Sequence, residues 1–254
     1  QAVRPHAGNR WLYRHATDLV VTVSDAIRRQ YVASGLMPEG RVVTLPGGVD
    51  TAQFHPRPAD PQVRQSLGAR NGTPLVGMVA GLRVMKGHAT TVDAAARLHA
   101  RGAAAHFVFV GRGRSDANIR RWIASRGLES CVTLAGFTED VPSAMAAFDV
   151  ALYVPLESEG MSRVVFEYLA TGAALVAART GVVPEILADG EHALLVPAGD
   201  ASALAEAIAR LVSDVPLRAR LGAAARDLVE QHYSGACVAE RLEGLYAGLL
   251  DHVK

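Results

Sequence analysis

The segment Pro155-Leu-Glu-Ser-Glu-Gly-Met-Ser-Arg-Val-Val-Phe-Glu167 places two carboxylates, Glu159 and Glu167, on either side of a helix start. Ser162 is a residue type that caps helix N-termini, and Gly160 permits close approach of backbone to a ligand. The five residues from Ser162 to Glu167 span about 7.5 Å of helical rise. The two carboxylates can therefore address opposite ends of one extended ligand whose phosphate rests on the helix N-terminus. The other reading puts Glu159 on a loop surface and Glu167 on a helix surface. Glu167 lies between Phe166 and Tyr168 in an apolar helix, and a buried carboxylate there needs hydrogen-bond partners. The residues alone leave both readings open.

Three further junctions have the same form. In Gly81-Leu-Arg-Val-Met-Lys-Gly-His88, Arg83 and Lys86 stand in a glycine-flanked loop before a helix, able to clamp a diphosphate or to remain solvated loop charges. Thr180-Gly-Val-Val-Pro-Glu185 carries a glycine, a proline near the helix start and a first-turn glutamate, which a plain helix start explains equally well. Val110-Gly-Arg-Gly-Arg114 begins like a dinucleotide fingerprint, but Asp116 stands where the third glycine belongs; a tight strand-to-helix turn explains it better. The sequence contains no Gly-x4-Gly-Lys-Ser/Thr loop, no His-Glu-x2-His pair, no Gly-x-Ser-x-Gly elbow and no Asp-x-Asp. No metal site and no cofactor are expected.

These junctions need a parallel α/β scaffold, because ligands bind where strands end and helices begin. The chain supplies the pattern: short apolar runs, glycine-containing loops and amphipathic helices in alternation. Strands are predicted at 18–23, 41–45, 75–80, 106–110, 132–134, 150–154, 174–178 and 193–196. Helices are predicted at 9–16, 90–101, 116–126, 141–148, 163–171, 201–213, 218–230 and 238–250. Most strands lack alternation and should be buried on both faces. Three prolines between Phe54 and Pro61 suit a linker and a domain boundary.

With 254 residues, half of them apolar and a fifth charged, the chain can bury a full core. Twenty-six basic and 25 acidic residues are dispersed, with no polybasic block, so nucleic acid is not an expected partner. No run of 18 apolar residues occurs, and Arg4, His6, Arg10 and Arg14 interrupt any signal-peptide core, which gives a cytoplasmic expectation. Cys131 and Cys237 are expected to be buried free thiols. The chain begins at Gln1 and runs almost at once into a helix, so a preceding segment is expected.

In order, the chain shows Val21-Thr-Val-Ser24, Leu45-Pro-Gly-Gly-Val-Asp50 with Phe54 and Pro56, Lys86-Gly-His, Val110-Gly-Arg-Gly, Leu134-Ala-Gly-Phe137, Glu159-Gly with Glu167, and Gly181-Val-Val-Pro-Glu185. This ordered set resembles the family 4 retaining glycosyltransferases of GT-B fold. The resemblance implies the C-terminal domain of that fold, a Rossmann-like parallel sheet flanked by helices, plus a remnant of the N-terminal Rossmann-like domain. Residues 1–50 would end the acceptor domain, 51–233 would form the nucleotide-sugar-binding domain, and 234–254 would be a helix packing back toward the N-terminal domain.

The resemblance further implies metal-independent sugar transfer with retained configuration from a UDP-, GDP- or ADP-linked donor. Lys86 and Arg83 would bind the diphosphate, with Gly81 standing where the family often has an arginine. Glu159 would contact the transferred sugar and Glu167 the ribose. The amides of Gly160, Met161, Ser162 and Arg163 would hold phosphate, while Gly136 and Phe137 would lie near the base, with Gly111 in the adjoining turn. A glycan or lipid-linked acceptor would bind through the N-terminal domain, and the full-length protein could associate peripherally with the inner face of the cytoplasmic membrane. A nucleotide-sugar sensing module and a GT-B-fold nucleotide-sugar epimerase are the alternatives.

Overall fold

A computed structural model describes residues 6–70, 72–158 and 160–251. The chain opens with helix α1 (Ala7–His15), strand β1 (Val20–Thr22), helix α2 (Asp25–Ala33) and strand β2 (Val42–Thr44). β1 and β2 pair in parallel as a two-stranded sheet. After helix α3 (Pro61–Ser66) come β3 (Leu75–Val79), α4 (His88–Ala100), β4 (His106–Val110), α5 (Asp116–Ala124) and β5 (Val132–Gly136). Then follow α6 (Val141–Ala146), β6 (Val150–Tyr153), α7 (Arg163–Ala170), β7 (Leu175–Ala178), α8 (Val183–Ile186) and β8 (Leu194–Val196). Three helices close the chain, α9 (Ala201–Ser213), α10 (Val215–His232) and α11 (Gly235–Asp251).

The second sheet is six-stranded and parallel, in the order β5-β4-β3-β6-β7-β8. Apart from His106 at the start of β4, its inner strands are apolar because both faces are covered, and the two-residue period sends neighbours to opposite layers. Leu75, Val108, Ala151 and Leu175 enter one core with α6, α7 and α8. Val76, Phe107, Phe109, Leu152 and Val176 enter the other with α4, α5 and α9.

The strand order reverses at β3, which lies between β4 and β6, so the crevice of this sheet opens there. β3 pairs with β6 only at Val76–Val150 and Gly77–Ala151. Gly77 has to be glycine, since a Cβ would stand 2.2 Å from the Phe148 ring.

All eight expected strands are present, with ends moved by two residues at most. The structure adds two short helices, α2 and α3, while the helix start read at Thr180–Glu185 opens the short α8. α2 escapes a periodicity reading because none of its residues is fully buried; Ser24 caps it and Asp25 pairs with Arg28 and Arg29. The proline-rich stretch is no free tether. Phe54 is buried in the core, Asp60 caps α3 with Pro61 in its first turn, and the Arg226 guanidinium donates to the carbonyls of Phe54 and Ala170.

The cysteines correct another expectation: both are free but only half-buried. Cys131 sits just before the sheet-edge strand β5, with its thiol on the Leu128 carbonyl, and Cys237 lies in the first turn of α11, with its thiol facing the carbonyls of Glu230 and Gln231. Among the described residues no helix is long and apolar enough to cross a membrane.

Candidate functional site

At the carboxyl ends of β3, β4 and β5 the loops interlock through backbone. Leu82 N–H donates to Arg112 O, Ser115 N–H to Leu82 O, and Gly111 N–H to Gly136 O at 2.7 Å. Gly111 has φ +147, and a Cβ there would fall 2.0 Å from Ala80 O, so this turn tolerates only glycine. The interlocked loops enclose a cavity of about 290 Å³ between Ala80, Gly81, Gly111, Arg112, Phe137 and Val141. Phe137 stands exposed at its rim with the Arg112 guanidinium 4.7 Å from the ring centroid.

Beside this cavity runs the cationic loop. A 3-10 turn at Val84–Lys86 ends on Gly87, whose φ of +81 starts α4. A Cβ on Gly87 would stand 1.9 Å from Val154 O, and Leu156 N–H donates to Met85 O at 2.8 Å. The Arg83–Lys86 loop is thereby fastened to the loop that follows β6. Arg83 folds back beside Gly81, where its Nε would be in ordinary van der Waals contact, at 3.5 Å, with a Cβ at that position.

Behind the loop, His88 is fully buried and meets Phe109 edge-on at 5.1 Å. Both ring nitrogens lack a hydrogen-bond partner of good geometry. Burial, opposed by the nearby Arg83 carbonyl and reinforced by the charge of Lys86, drives the imidazole pKa down to about 4. His88 is therefore neutral at pH 7.

The loop after β6 leads into α7 as the sequence spacing requires. Glu159 lies outside the described residues. Gly160 has φ +75 and its N–H donates to Ser158 Oγ. Ser162 occupies the N-cap position in extended conformation, but its hydroxyl makes no capping bond, contrary to the role its type suggests. No described group accepts from the amides of Met161, Ser162 and Arg163, so the N-terminus of α7 has donors available for an anion. The Met161 side chain turns to Gly47, with Sδ 2.8 Å from Gly47 N, and leaves its backbone to the helix start.

One turn further on, Glu167 is half-buried, and its carboxylate takes no hydrogen bond from any described residue. Burial raises its pKa against a smaller lowering by Arg163. Next to it, fully buried Tyr168 accepts the Val79 N–H on its hydroxyl at 2.6 Å.

The fold thus draws Gly81, Arg83, Lys86, Gly111, Gly136 and Phe137 together on one side of the crevice, and Gly160–Arg163 with Glu167 on the other. Two participants had not been singled out. Arg112 lay in the glycine-flanked turn, visible as a cation but with no sign of its aromatic neighbour. Tyr168 entered only as a neighbour of Glu167 in an apolar helix. Glu185 stands in the first turn of α8 as its residue pattern suggested, and its carboxylate receives the N–H groups of Asp25 and Ala26, about 160 residues earlier in the chain. Among the described residues no three His, Cys, Asp or Glu side chains converge as metal ligands.

A parallel sheet with helices on both faces, and with glycine turns, cations and a helix N-terminus that meets no described acceptor gathered at its switch point, defines a Rossmann-like α/β domain. Residues 73–214 match the family described as glycosyl transferases group 1, and the chain belongs to that family.

It is 30% identical over 246 residues to an alpha-D-kanosaminyltransferase of Streptomyces kanamyceticus, covering 93% of this chain and 63% of that protein. It is also 30% identical over 243 residues to a GDP-mannose-dependent alpha-(1-6)-phosphatidylinositol monomannoside mannosyltransferase of Mycobacterium tuberculosis, covering 91% and 62%. The chain therefore spans less than two thirds of the length of these relatives. The crystal structure of Anabaena HepE in complex with UDP shares the fold, with a TM-score of 0.84 at 22% identity, covering 97% of this chain and 70% of that one.

Proposed function

We propose that this chain forms the donor side of a retaining, metal-independent glycosyltransferase that moves a sugar from a nucleotide-sugar to an acceptor. The observation that carries the reading is Glu167. A half-buried carboxylate with no described partner, one turn into a helix whose first amides meet no described acceptor, is poorly placed for stability and well placed for a ligand.

Each group has a task in that reaction. The ribose hydroxyls donate to Glu167. The diphosphate lies on the amides of Met161, Ser162 and Arg163, and the N-terminal end of the α7 dipole favours its charge. Lys86 and Arg83 approach from the other loop. As the bond from the anomeric carbon to the phosphate oxygen breaks, negative charge grows on the leaving phosphate, and these fixed cations and amides stabilise it without reorganising. Glu159, following the resemblance, contacts the transferred sugar. The base enters the cavity under Phe137 and Arg112.

Domain limits near residues 50 and 233 follow the same resemblance, and the acceptor would bind to a further domain. A glycan or lipid-linked acceptor, with peripheral contact to the cytoplasmic membrane, fits relatives of which one is described as acting on a phosphatidylinositol monomannoside.

Calorimetric titration with UDP, GDP and ADP tests the reading. The wild-type chain should bind at least one of them and Glu167→Ala should lose most of that affinity. No binding of any of the three by the wild type would remove the proposal.

A further inference from the structure

β3 carries its N–H groups alternately toward β4 and toward β6. Ala80 N–H goes to Val110 O on the β4 side, so Val79 N–H is aimed at β6. β6 has already left: its pairing with β3 ends at Gly77–Ala151. The Tyr168 hydroxyl, brought in by α7, takes the strand's place and accepts the Val79 N–H at 2.6 Å, with the whole side chain buried. Directly after Val79, Ala80 and Gly81 form one wall of the cavity below Phe137. Directly before Tyr168 stands Glu167. One hydrogen bond thus spans the splayed crevice and links the two halves of the site.

We infer that Tyr168 is a positioning residue which fixes the separation between the Glu167 carboxylate and the cavity at the end of β3, and so holds the nucleoside end of the donor. This rests on the reading of Glu167 as the ribose ligand. Packing alone does not call for the hydroxyl, because a phenylalanine ring fills the same space. What the oxygen supplies is a partner for a buried N–H and a tether of set length, and placement errors of about an ångström at a binding group are costly.

The test compares wild type with Tyr168→Phe by calorimetry, using UDP, GDP and inorganic pyrophosphate. Loss of the tether should weaken the preferred nucleoside diphosphate by about tenfold and leave pyrophosphate unchanged, since only the nucleoside end depends on the spacing. In a cycle with Glu167→Gln the two losses should not multiply, because Tyr168 acts through Glu167.

Wild-type binding with an unchanged affinity in Tyr168→Phe, or an equal loss for pyrophosphate, would overturn the inference alone. Failure of the wild type to bind would remove the donor-site reading and this inference with it. Hydrogen exchange on the wild type needs no variant: the Val79 amide should gain protection when the nucleotide binds, and no gain would equally overturn the inference.

Discussion

Glu185 and Ala26 are joined across the chain: one carboxylate oxygen of Glu185 accepts the Ala26 N–H at 2.9 Å while the other accepts the neighbouring Asp25 N–H at 2.7 Å. Ser24 Oγ takes the Ile27 N–H, so side chains satisfy three of the donors that open α2. The small sheet of β1 and β2 is thereby fastened to α8, and it is also fastened at Val49, which exchanges backbone hydrogen bonds with Tyr233 and Gly235.

Removing the shared cap should loosen α2. Glu185→Ala should lower stability by about 1 kcal/mol, the usual cost of a lost N-terminal cap, and Glu185→Gln by less because one acceptor survives. Urea denaturation with hydrogen exchange at Asp25 and Ala26 reads both effects. Unchanged exchange at these amides in Glu185→Ala would refute the assignment.

Glu167 should show opposite effects on binding and folding. Glu167→Gln removes a desolvated charge and should leave stability equal or higher, while the affinity for nucleoside diphosphate falls. The folded pKa is raised, so the folded state holds its proton more tightly; this group's contribution to stability declines as pH rises from the ordinary glutamate value through the raised one. Binding that uses the ionised carboxylate changes the other way and weakens as pH falls through the raised value. Titrations across this window in wild type and Glu167→Gln should differ in slope, and matching slopes would contradict the ribose role.

His88 imposes a second pH dependence. Its pKa falls from 6.5 to about 4 on folding, so between those values the unfolded chain binds more protons and stability is lost as pH drops. The shift corresponds to roughly 3 kcal/mol, present in full above pH 6.5 and gone below pH 4. In His88→Leu, denaturation at pH 7 and pH 4.5 should show a smaller difference than in wild type.

Phe137 is 59% exposed, so its removal should hardly affect stability. If the base lies against it, Phe137→Ala should cost about 1–3 kcal/mol of nucleotide affinity, the range for stacking a base on an aromatic ring. Arg112→Ala should act in the same direction. Pyrophosphate binding serves as the control and should be unaffected in both variants.

The scaffold was legible because short, largely apolar runs with no alternation, such as His106–Val110, suit strands covered on both faces by their length and their β-branched and aromatic content, and glycine-marked loops separate them from amphipathic helices. α2 was not, because a polar helix held by caps and charge pairs has no periodicity to read. Within the site, spacing placed Glu167, Gly160 and the cationic loop correctly on their elements. Geometry between distant segments left no trace in the sequence. The Gly47 amide against Met161, the Tyr168 hydroxyl on Val79 and the Glu185 carboxylate on α2 each join residues roughly 90 to 160 positions apart. Nor can residue type show that the Ser162 hydroxyl leaves the α7 amides open.

The most direct test of the donor site is a crystal structure of the chain soaked with UDP or GDP, whichever binds more tightly. The diphosphate should lie within hydrogen-bond distance of the amides of Ser162 and Arg163 and close to Lys86, with the ribose hydroxyls on Glu167 and the base beside Phe137. A nucleotide bound elsewhere, or one bound here with its ribose away from Glu167, would contradict the account.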